Sequence, residues 1–370
     1  MNRSHLMPED GRRFHRIRKL SRVLSCLLFS AIVLSFLGYS TVAEHCAPAL
    51  DEEPPAPSLP TQDELDAGAD EIPNPLRPLF YQAEYPLALG IYDHLFAKEE
   101  AVIPQGELKI VETDLSKNPL PGTVYLQNST AYKITVSEHL TAPSLSLPTA
   151  FAPASEEEPP LVLIYHTHGT EGYASEEAVS YPASALPRSR DTNENVVAVG
   201  RVLTETLNRL GIRTIHCETM HDASSYNEAY TNSAKTVRQY LQDYPSIRYA
   251  FDIHRDALVG STEVYKTVTY DESTPIAQIM LVIGTDSAGA VHADWRNNLT
   301  FAVNTQYLLS ERLPAMARPL AIKGPSYNQQ YPPCGLLVEV GTCVNTLAEA
   351  KASAEILGEI LAALITAQSG

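Results

Sequence analysis

From Leu161 onward the chain alternates short apolar runs with stretches of helical periodicity, and that alternation restricts its fold more than any other feature. Leu161–Tyr165 (LVLIY) is an unbroken apolar run, the pattern of a strand covered on both faces of its sheet. Val196, Val199, Leu203, Leu207 and Leu210 then recur at helical spacing over Asn195–Leu210, with Gly211 as the stop. Arg213–His216 reads as a strand, Asn232–Tyr244 as a helix ended by Pro245, and Tyr249–Ile253 as another strand. Ile279–Gly284 and Leu336–Val340 are two more apolar strands with a helix near Leu299–Leu313 between them, and Leu347–Gln368 is a long closing helix. The fold class this implies is α/β, a mostly parallel sheet with helices on both faces. There is no internal repeat and no phosphate-cradling glycine loop of the G-x-G-x-x-G or G-x-x-x-x-G-K-[ST] kind.

The residues before this region divide by composition. Residues 1–22 carry seven Lys or Arg and two acids, and Val23–Ala43 follows as 21 residues without a charged side chain. A helix of about 20 apolar residues crosses a bilayer, and a basic cluster before it marks the cytoplasmic side. The expectation is a single-pass membrane anchor with everything after residue 43 outside the cytoplasm. A cleaved signal peptide is the alternative, with Thr41-Val42-Ala43 as the cleavage site, but the run exceeds the ~7–15 residues of an ordinary signal core. Residues 44–78 hold eight prolines and nine acids against one Arg, Arg77, and read as an extended, disordered tether. Residues 79–140 form a small β-rich region, with strands expected at Leu108–Val111, Thr123–Leu126 and Tyr132–Val136, and a Pro/Ala/Glu-rich linker covers 141–160.

The formal charge of the whole chain is −17 from 27 Lys and Arg against 44 Asp and Glu, and the basic head makes the remainder more acidic still. So acidic a body would repel a phosphate backbone, which excludes a nucleic-acid partner. Five cysteines, Cys26, Cys46, Cys217, Cys334 and Cys343, contain no C-x-x-C pair and argue against a disulfide framework or a cysteine zinc site. A Cys334–Cys343 bridge stays open, with free thiols the commoner outcome for apolar-flanked cysteines.

In open α/β sheets ligand sites form beyond the carboxyl ends of the strands. There Leu161–Tyr165 runs into His166-Thr167-His168-Gly169-Thr170-Glu171, Tyr249–Ile253 carries Asp252 and runs into His254-Arg255-Asp256, and Leu336–Val338 runs into Glu339. Two histidines and a carboxylate match the ligand set of a catalytic zinc ion, Zn2+, which keeps a fourth position for water, and a further carboxylate can serve as general base. His168, Glu171 and His254 are the candidate metal ligands and Glu339 the candidate catalytic acid/base. Glu339 lies within an apolar strand, where an unpaired acid is costly, so it must meet a cation, a donor or a bound water. Asp252 and Arg255 are expected to form a local ion pair, and His216, His221 and His292 to be structural.

These residues carry a resemblance. Tyr165–Tyr173 (YHTHGTEGY), Asn195–Gly200 (NVVAVG), Tyr244–Asp256 (YPSIRYAFDIHRD), Tyr327–Gln330 (YNQQ) and Leu336–Gly341 (LLVEVG) together resemble the stage II sporulation protein P family, cell-wall hydrolases of endospore-forming bacteria. The resemblance covers about residues 160–365 and implies an amidase/phosphorylase-like fold for a catalytic domain over 161–370. It further implies a peptidoglycan substrate, cut at the N-acetylmuramoyl-L-alanine amide, with endopeptidase activity on peptide cross-links as well. The family works beside a partner, stage II sporulation protein D, at the membrane during engulfment, which implies a location in the intermembrane space of the sporangium. By motif, His168 and His254 are implied zinc ligands and Glu339 the acid/base. Glu171 is the choice for third ligand, Glu194 is its competitor, and His166 is not assigned. Arg255 and Asn328 are the substrate-binding candidates. The chain departs from the family's loop at Gly172, where a Ser is expected. The rival functions are a non-catalytic wall-binding scaffold and a zinc peptidase acting on wall peptides.

Overall fold

The computed structural model describes residues 103–117, 120–141, 152–185 and 187–369. The basic head, the apolar run 23–43 and the tether therefore lie outside the described residues, and no described helix is long and apolar enough to cross a membrane. In chain order the elements are β1 (Glu107–Thr113), β2 (Leu126–Asn128), β3 (Val162–Tyr165), β4 (Ser180–Pro182), α1 (Val196–Arg209), β5 (Thr214–His216), α2 (Ala229–Asp243), β6 (Tyr249–Asp256), β7 (Glu263–Asp271), β8 (Thr274–Ala277), β9 (Ile279–Gly284), α3 (Trp295–Arg312), β10 (Leu320–Lys323), β11 (Cys334–Thr342) and α4 (Leu347–Ser369).

Seven strands form the central sheet in the order β2-β10-β9-β11-β6-β3-β5. Neighbours run parallel except β9 and β11, which meet antiparallel with Leu337 opposite Val282. The expectation of a mostly parallel sheet holds, with one reversal that divides the sheet into two parallel halves. All four residues of β3 are buried, as its apolar run requires. Val162 and Ile164 face one side, packing with Val199, Leu203 and Leu207 of α1 and with the apolar stripes of α3 and α4. Leu163 and Tyr165 face the other, against Val237 and Tyr240 of α2. Helices thus cover both faces, and each Leu or Ile removed from water contributes about 1.5–3 kcal/mol before chain entropy is counted.

Local signals explain the helix ends. The Asn195 side chain accepts from Val197 N and caps α1, and Gly211 follows it at φ +84°, a left-handed position that favours glycine. Thr346 and Glu349 form a reciprocal capping box at α4, Thr346 N donating to Glu349 Oε2 at 3.1 Å and Glu349 N to Thr346 Oγ1 at 3.2 Å.

A second sheet of four strands runs β4-β1-β7-β8. Its β1 belongs to the region before residue 140 and pairs in parallel with β7, Lys109 opposite Glu263, while β2 joins the edge of the central sheet beside β10. Both expected strands at Leu108–Val111 and Thr123–Leu126 therefore exist, the second shifted to Leu126–Asn128. The third does not: Tyr132–Thr135 is irregular and a short 3-10 turn follows over Val136–Glu138. Side-chain anchoring replaces pairing there, the Tyr132 hydroxyl donating to Asp286 Oδ1 at 2.6 Å while its ring packs 5.0 Å from Trp295. Cys217, Cys334 and Cys343 are free thiols. A strand rising ~3.3 Å per residue separates the two ends of β11 far beyond disulfide reach.

Candidate active site

Three strand ends build one cluster. β6 and β11 run parallel with His254 directly beside Glu339, so both side chains leave the same face of the sheet. Asp252, two residues before His254, shares that face, and its Oδ1 lies 3.0 Å from His254 Nε2. From the turn after β3, Glu171 Oε2 reaches to 3.3 Å of His254 Nδ1. His168 completes the group, its ring 5.5 Å from that of His254. The sequence-selected residues His168, Glu171, His254 and Glu339 are thus brought together from positions far apart in the chain.

Carboxylates stand behind both imidazoles. Asp252 is fully buried and is itself fixed by Thr167, whose backbone N and Oγ1 lie 2.8 and 2.5 Å from its oxygens. Asp222 Oδ2 lies 3.6 Å from His168 Nδ1, accepts from Arg188 Nη1 at 2.9 Å and takes a hydrogen bond from the Thr170 hydroxyl at 2.6 Å. Burial alone would raise Asp222, but His168 and Thr170 outweigh it and hold the carboxyl down at about 2. Burial alone would likewise lower His254, yet Asp252 and Glu171 carry it well above the ordinary imidazole value. Asp222 was not anticipated from sequence: it sits in the loop after β5, and only the fold delivers it to His168.

Glu339 behaves differently from the other acids. Burial pushes its carboxyl up to about 8, repulsion from Asp256 and Glu171 adds to this, and His254 and Arg318 oppose it. Its Oε2 is enclosed without a hydrogen-bond partner. A carboxyl poised near neutrality with an idle oxygen can both accept and return a proton.

The remaining candidates are engaged within the protein. Arg255 is buried and donates from Nε to Gly172 O at 3.1 Å and from Nη2 to Pro187 O at 2.8 Å, while its backbone N donates to Glu171 Oε2 at 3.2 Å. It clamps the loop that carries Glu171. The expected Asp252–Arg255 ion pair does not form, because residues three apart on a strand point to opposite faces. The Asn328 side-chain nitrogen donates to Tyr230 O and to Ser233 Oγ, each at 2.9 Å. Glu194 is exposed and accepts from the Ser189 hydroxyl at 2.9 Å, whereas Glu171 touches His254. His166 lies on the other face of the sheet, its ring bonded to Ile253 O at 3.0 Å and to His216 at 2.8 Å. His221 is held by His166 O and Thr236 Oγ1, and His292 by Asn298. Gly172 leaves no hydroxyl in the loop; its N bonds to Pro187 O, beside the Arg255 clamp.

Among the described residues no three His, Cys, Asp or Glu side chains are already drawn together tightly enough to hold a metal ion. The donor chemistry nevertheless fits zinc. Two imidazoles and a carboxylate are gathered in a buried place, two of them are in contact, and each imidazole is backed by a carboxylate of the kind that orients a metal-bound histidine.

Comparison with known proteins adds family membership. Stage II sporulation protein P of Bacillus subtilis (strain 168) is 26% identical over 215 residues, 54% of this chain and 51% of its own, so the chain spans about half the length of that relative. Among solved structures, the CwlD amidase from Clostridioides difficile, in complex with the GerS lipoprotein, matches with 14% identity and a TM-score of 0.36 over 56% of this chain and 98% of its own. The N-acetylmuramoyl-L-alanine amidase AmiC2 of Nostoc punctiforme matches with 10% identity and a TM-score of 0.34 over 58% and 99%. Scores this low are no evidence of a shared fold or activity. Residues 97–362 match the family described as Stage II sporulation protein P (SpoIIP), and the chain belongs to that family.

Proposed function

We propose that this protein is a peptidoglycan hydrolase that cuts the amide between N-acetylmuramic acid and L-alanine. The observation that carries the reading is the juxtaposition of Glu339 and His254 across β6 and β11, with Glu171 in contact with His254. Family membership supports the substrate class. His168, Glu171 and His254 would hold a zinc ion, with Asp222 and Asp252 orienting the two imidazoles. When bound, zinc supplies Lewis acidity that polarises a carbonyl and acidifies water.

The chain's own residues account for the proton traffic. Glu339 takes a proton from the attacking water at its idle Oε2 and delivers it to the departing alanine nitrogen. Arg255 fixes the Glu171 loop so that this acid stays against His254. The apolar run at residues 23–43 anchors the protein in the cell membrane with the enzyme outside the cytoplasm, in the intermembrane space of the sporangium. There the protein works during engulfment beside stage II sporulation protein D.

Mass spectrometry of digested wall fragments, with wild type beside Glu339→Gln, tests the assignment. The wild type should release intact stem peptides, and the variant should lose at least about 10²-fold in rate while binding zinc as before. Undiminished activity of Glu339→Gln removes the residue from the chemistry. Fragments cut only within the peptide, with none released at the muramoyl amide, would reassign the enzyme as a peptidase.

A further inference from the structure

Beside His168 lies a cleft of about 560 Å³ lined by Thr170, Arg188, Ser189, Arg190, Asp222 and Tyr226. It is part of the same site. Tyr226 stacks on the His168 ring at 4.3 Å, the Arg188 guanidinium lies 4.9 Å from the centre of the Tyr226 ring, and Asp222 touches both His168 and Arg188. A peptide whose scissile bond reached the cluster and ran on past His168 would meet Tyr226 and Asp222, the two lining residues in contact with that ring.

The two arginines are differently employed. Arg188 is tied to Asp222 and to the Thr170 hydroxyl, so its charge is matched locally. Arg190 is exposed and donates from Nη2 to the Ala223 carbonyl at 2.8 Å, and among the described residues no carboxylate pairs with it. The acids next to it in sequence are committed, Asp191 to the backbone and side chain of Asn193 and Glu194 to Ser189. The lining sets two guanidinium groups against one carboxylate, Asp222, and Arg190 carries the charge that Asp222 does not match, in a chain whose net charge is −17. Tyr226 offers an exposed aromatic wall, 57% accessible, to whatever packs beside that charge.

We infer that this cleft is the subsite for an acidic peptide, with Arg190 binding a carboxylate of the substrate's peptide part and Tyr226 packing against its backbone. The inference rests on the proposed hydrolase reading and narrows it: Arg190 becomes a specificity-determining residue, and acidic peptides become preferred over amidated ones. Guanidinium forks recognise phosphate as readily as carboxylate, so a phosphodiester of a wall polymer is the competing source of the anion. The cleft's continuity with His168 favours the carboxylate, because a group on the scissile peptide is delivered there by the reaction itself.

The test measures binding rather than turnover, so that it stands or falls apart from the hydrolysis. Fluorophore-labelled alanyl-glutamyl peptides, one with free carboxylates and one with carboxamides, are titrated into the full chain carrying Glu339→Gln, alone and combined with Arg190→Gln or Arg190→Lys. Without an Arg190 change the acidic peptide should bind about tenfold more tightly than the amide, as expected for one charge-assisted hydrogen bond. Arg190→Gln should bring that ratio close to one, and Arg190→Lys should retain most of it. An unchanged ratio in Arg190→Gln overturns the inference, as does no discrimination in the first place. A phosphodiester wall polymer that binds more tightly than the acidic peptide and loses affinity in Arg190→Gln assigns the site to phosphate instead. Should the wild type release no wall peptide, the hydrolase reading fails and the binding ratio still decides the cleft.

Discussion

His166 and His168 leave the end of β3 two residues apart and come to opposite circumstances. His166 packs against α1, fully buried, with another imidazole, His216, as its ring partner at 2.8 Å. His168 lies on the α2 side among Tyr226, Asp222 and His254. Burial and mutual repulsion hold His166 down at about 3, and burial with the nearby Arg201 holds His216 at about 4, so that pair is neutral. Across the sheet, the carboxylates around His254 do the reverse. A histidine at a strand end is thus decided by the company the fold gives it: imidazole against imidazole makes a neutral core, and imidazole against carboxylate makes a place for a cation.

The largest expected effect that would break this contrast comes from removing one histidine from each face. His168→Ala should reduce wall hydrolysis by more than about 10²-fold and lower the bound zinc, since loss of a ligand exceeds the 10–100-fold typical of losing its supporting partner. His216→Gln should leave both near wild type; equal losses, measured by peptide release and metal content, would erase the distinction between the faces. Asp252→Asn sharpens the carboxylate's part. It should weaken zinc binding by about 10–100-fold in a chelator competition while the fold is kept.

A third effect separates the faces by pH. His166 and His216 titrate in the native state at about 3 and about 4, below the ~6.5 of an unfolded chain, so the native state binds fewer protons. Their contribution is complete above about pH 6.5 and is lost as pH falls toward about 4, on the order of 1 kcal/mol per pH unit for each imidazole. Glu339, raised to about 8, contributes the opposite slope over the same range, so the pair is read as a difference: in denaturant unfolding between about pH 7 and about pH 4.5, His216→Gln should lose less stability on acidification than the wild type. Asp222, held at about 2, enters only at lower pH. The smallest effect is steric. An added Cβ at Gly200 of α1 would come 2.6 Å from His166 Cε1 and 2.9 Å from His216 Nε2. Gly200→Ala should destabilise the protein by about 2 kcal/mol in the same unfolding assay, with zinc affinity unchanged.

Apolar continuity made much of the central sheet legible from sequence. Ile279–Gly284 and the buried core of β11 stand where their uninterrupted runs place them, and α1 begins and ends at its cap and its glycine. The strands that escaped are those without such runs. Glu263–Asp271 (EVYKTVTYD) is rich in β-branched and aromatic residues, a signal that could have found it, but it interleaves charges because Lys266 bonds Glu349 at 2.6 Å and Glu112 at 3.2 Å. β10 spans only Leu320–Lys323. In the site, His254 and Glu339 were readable because each directly follows or ends an apolar run, and His168 and Glu171 because they fall in the turn just after one. Asp222 and Tyr226 follow no such run, and their relation to His168 exists only once β5 lies beside β3.

The position of β1 carries a consequence for the order in which the molecule is made. Its hydrogen-bonding partner, β7, lies some 150 residues further along, Lys109 opposite Glu263, and β8 completes that sheet only at Ala277. As the chain leaves the ribosome, β1 must wait, unpaired on its β7 side, through the synthesis of β3, α1, β5, α2 and β6. Long-range pairings of this kind slow folding and leave edges exposed to other chains. A fragment started at Leu161 would invert the problem and leave β7 without the neighbour it pairs with along five residues. The segment that precedes the apolar runs is therefore the last stitch of the folded body, and a chain cut after it should aggregate rather than assemble.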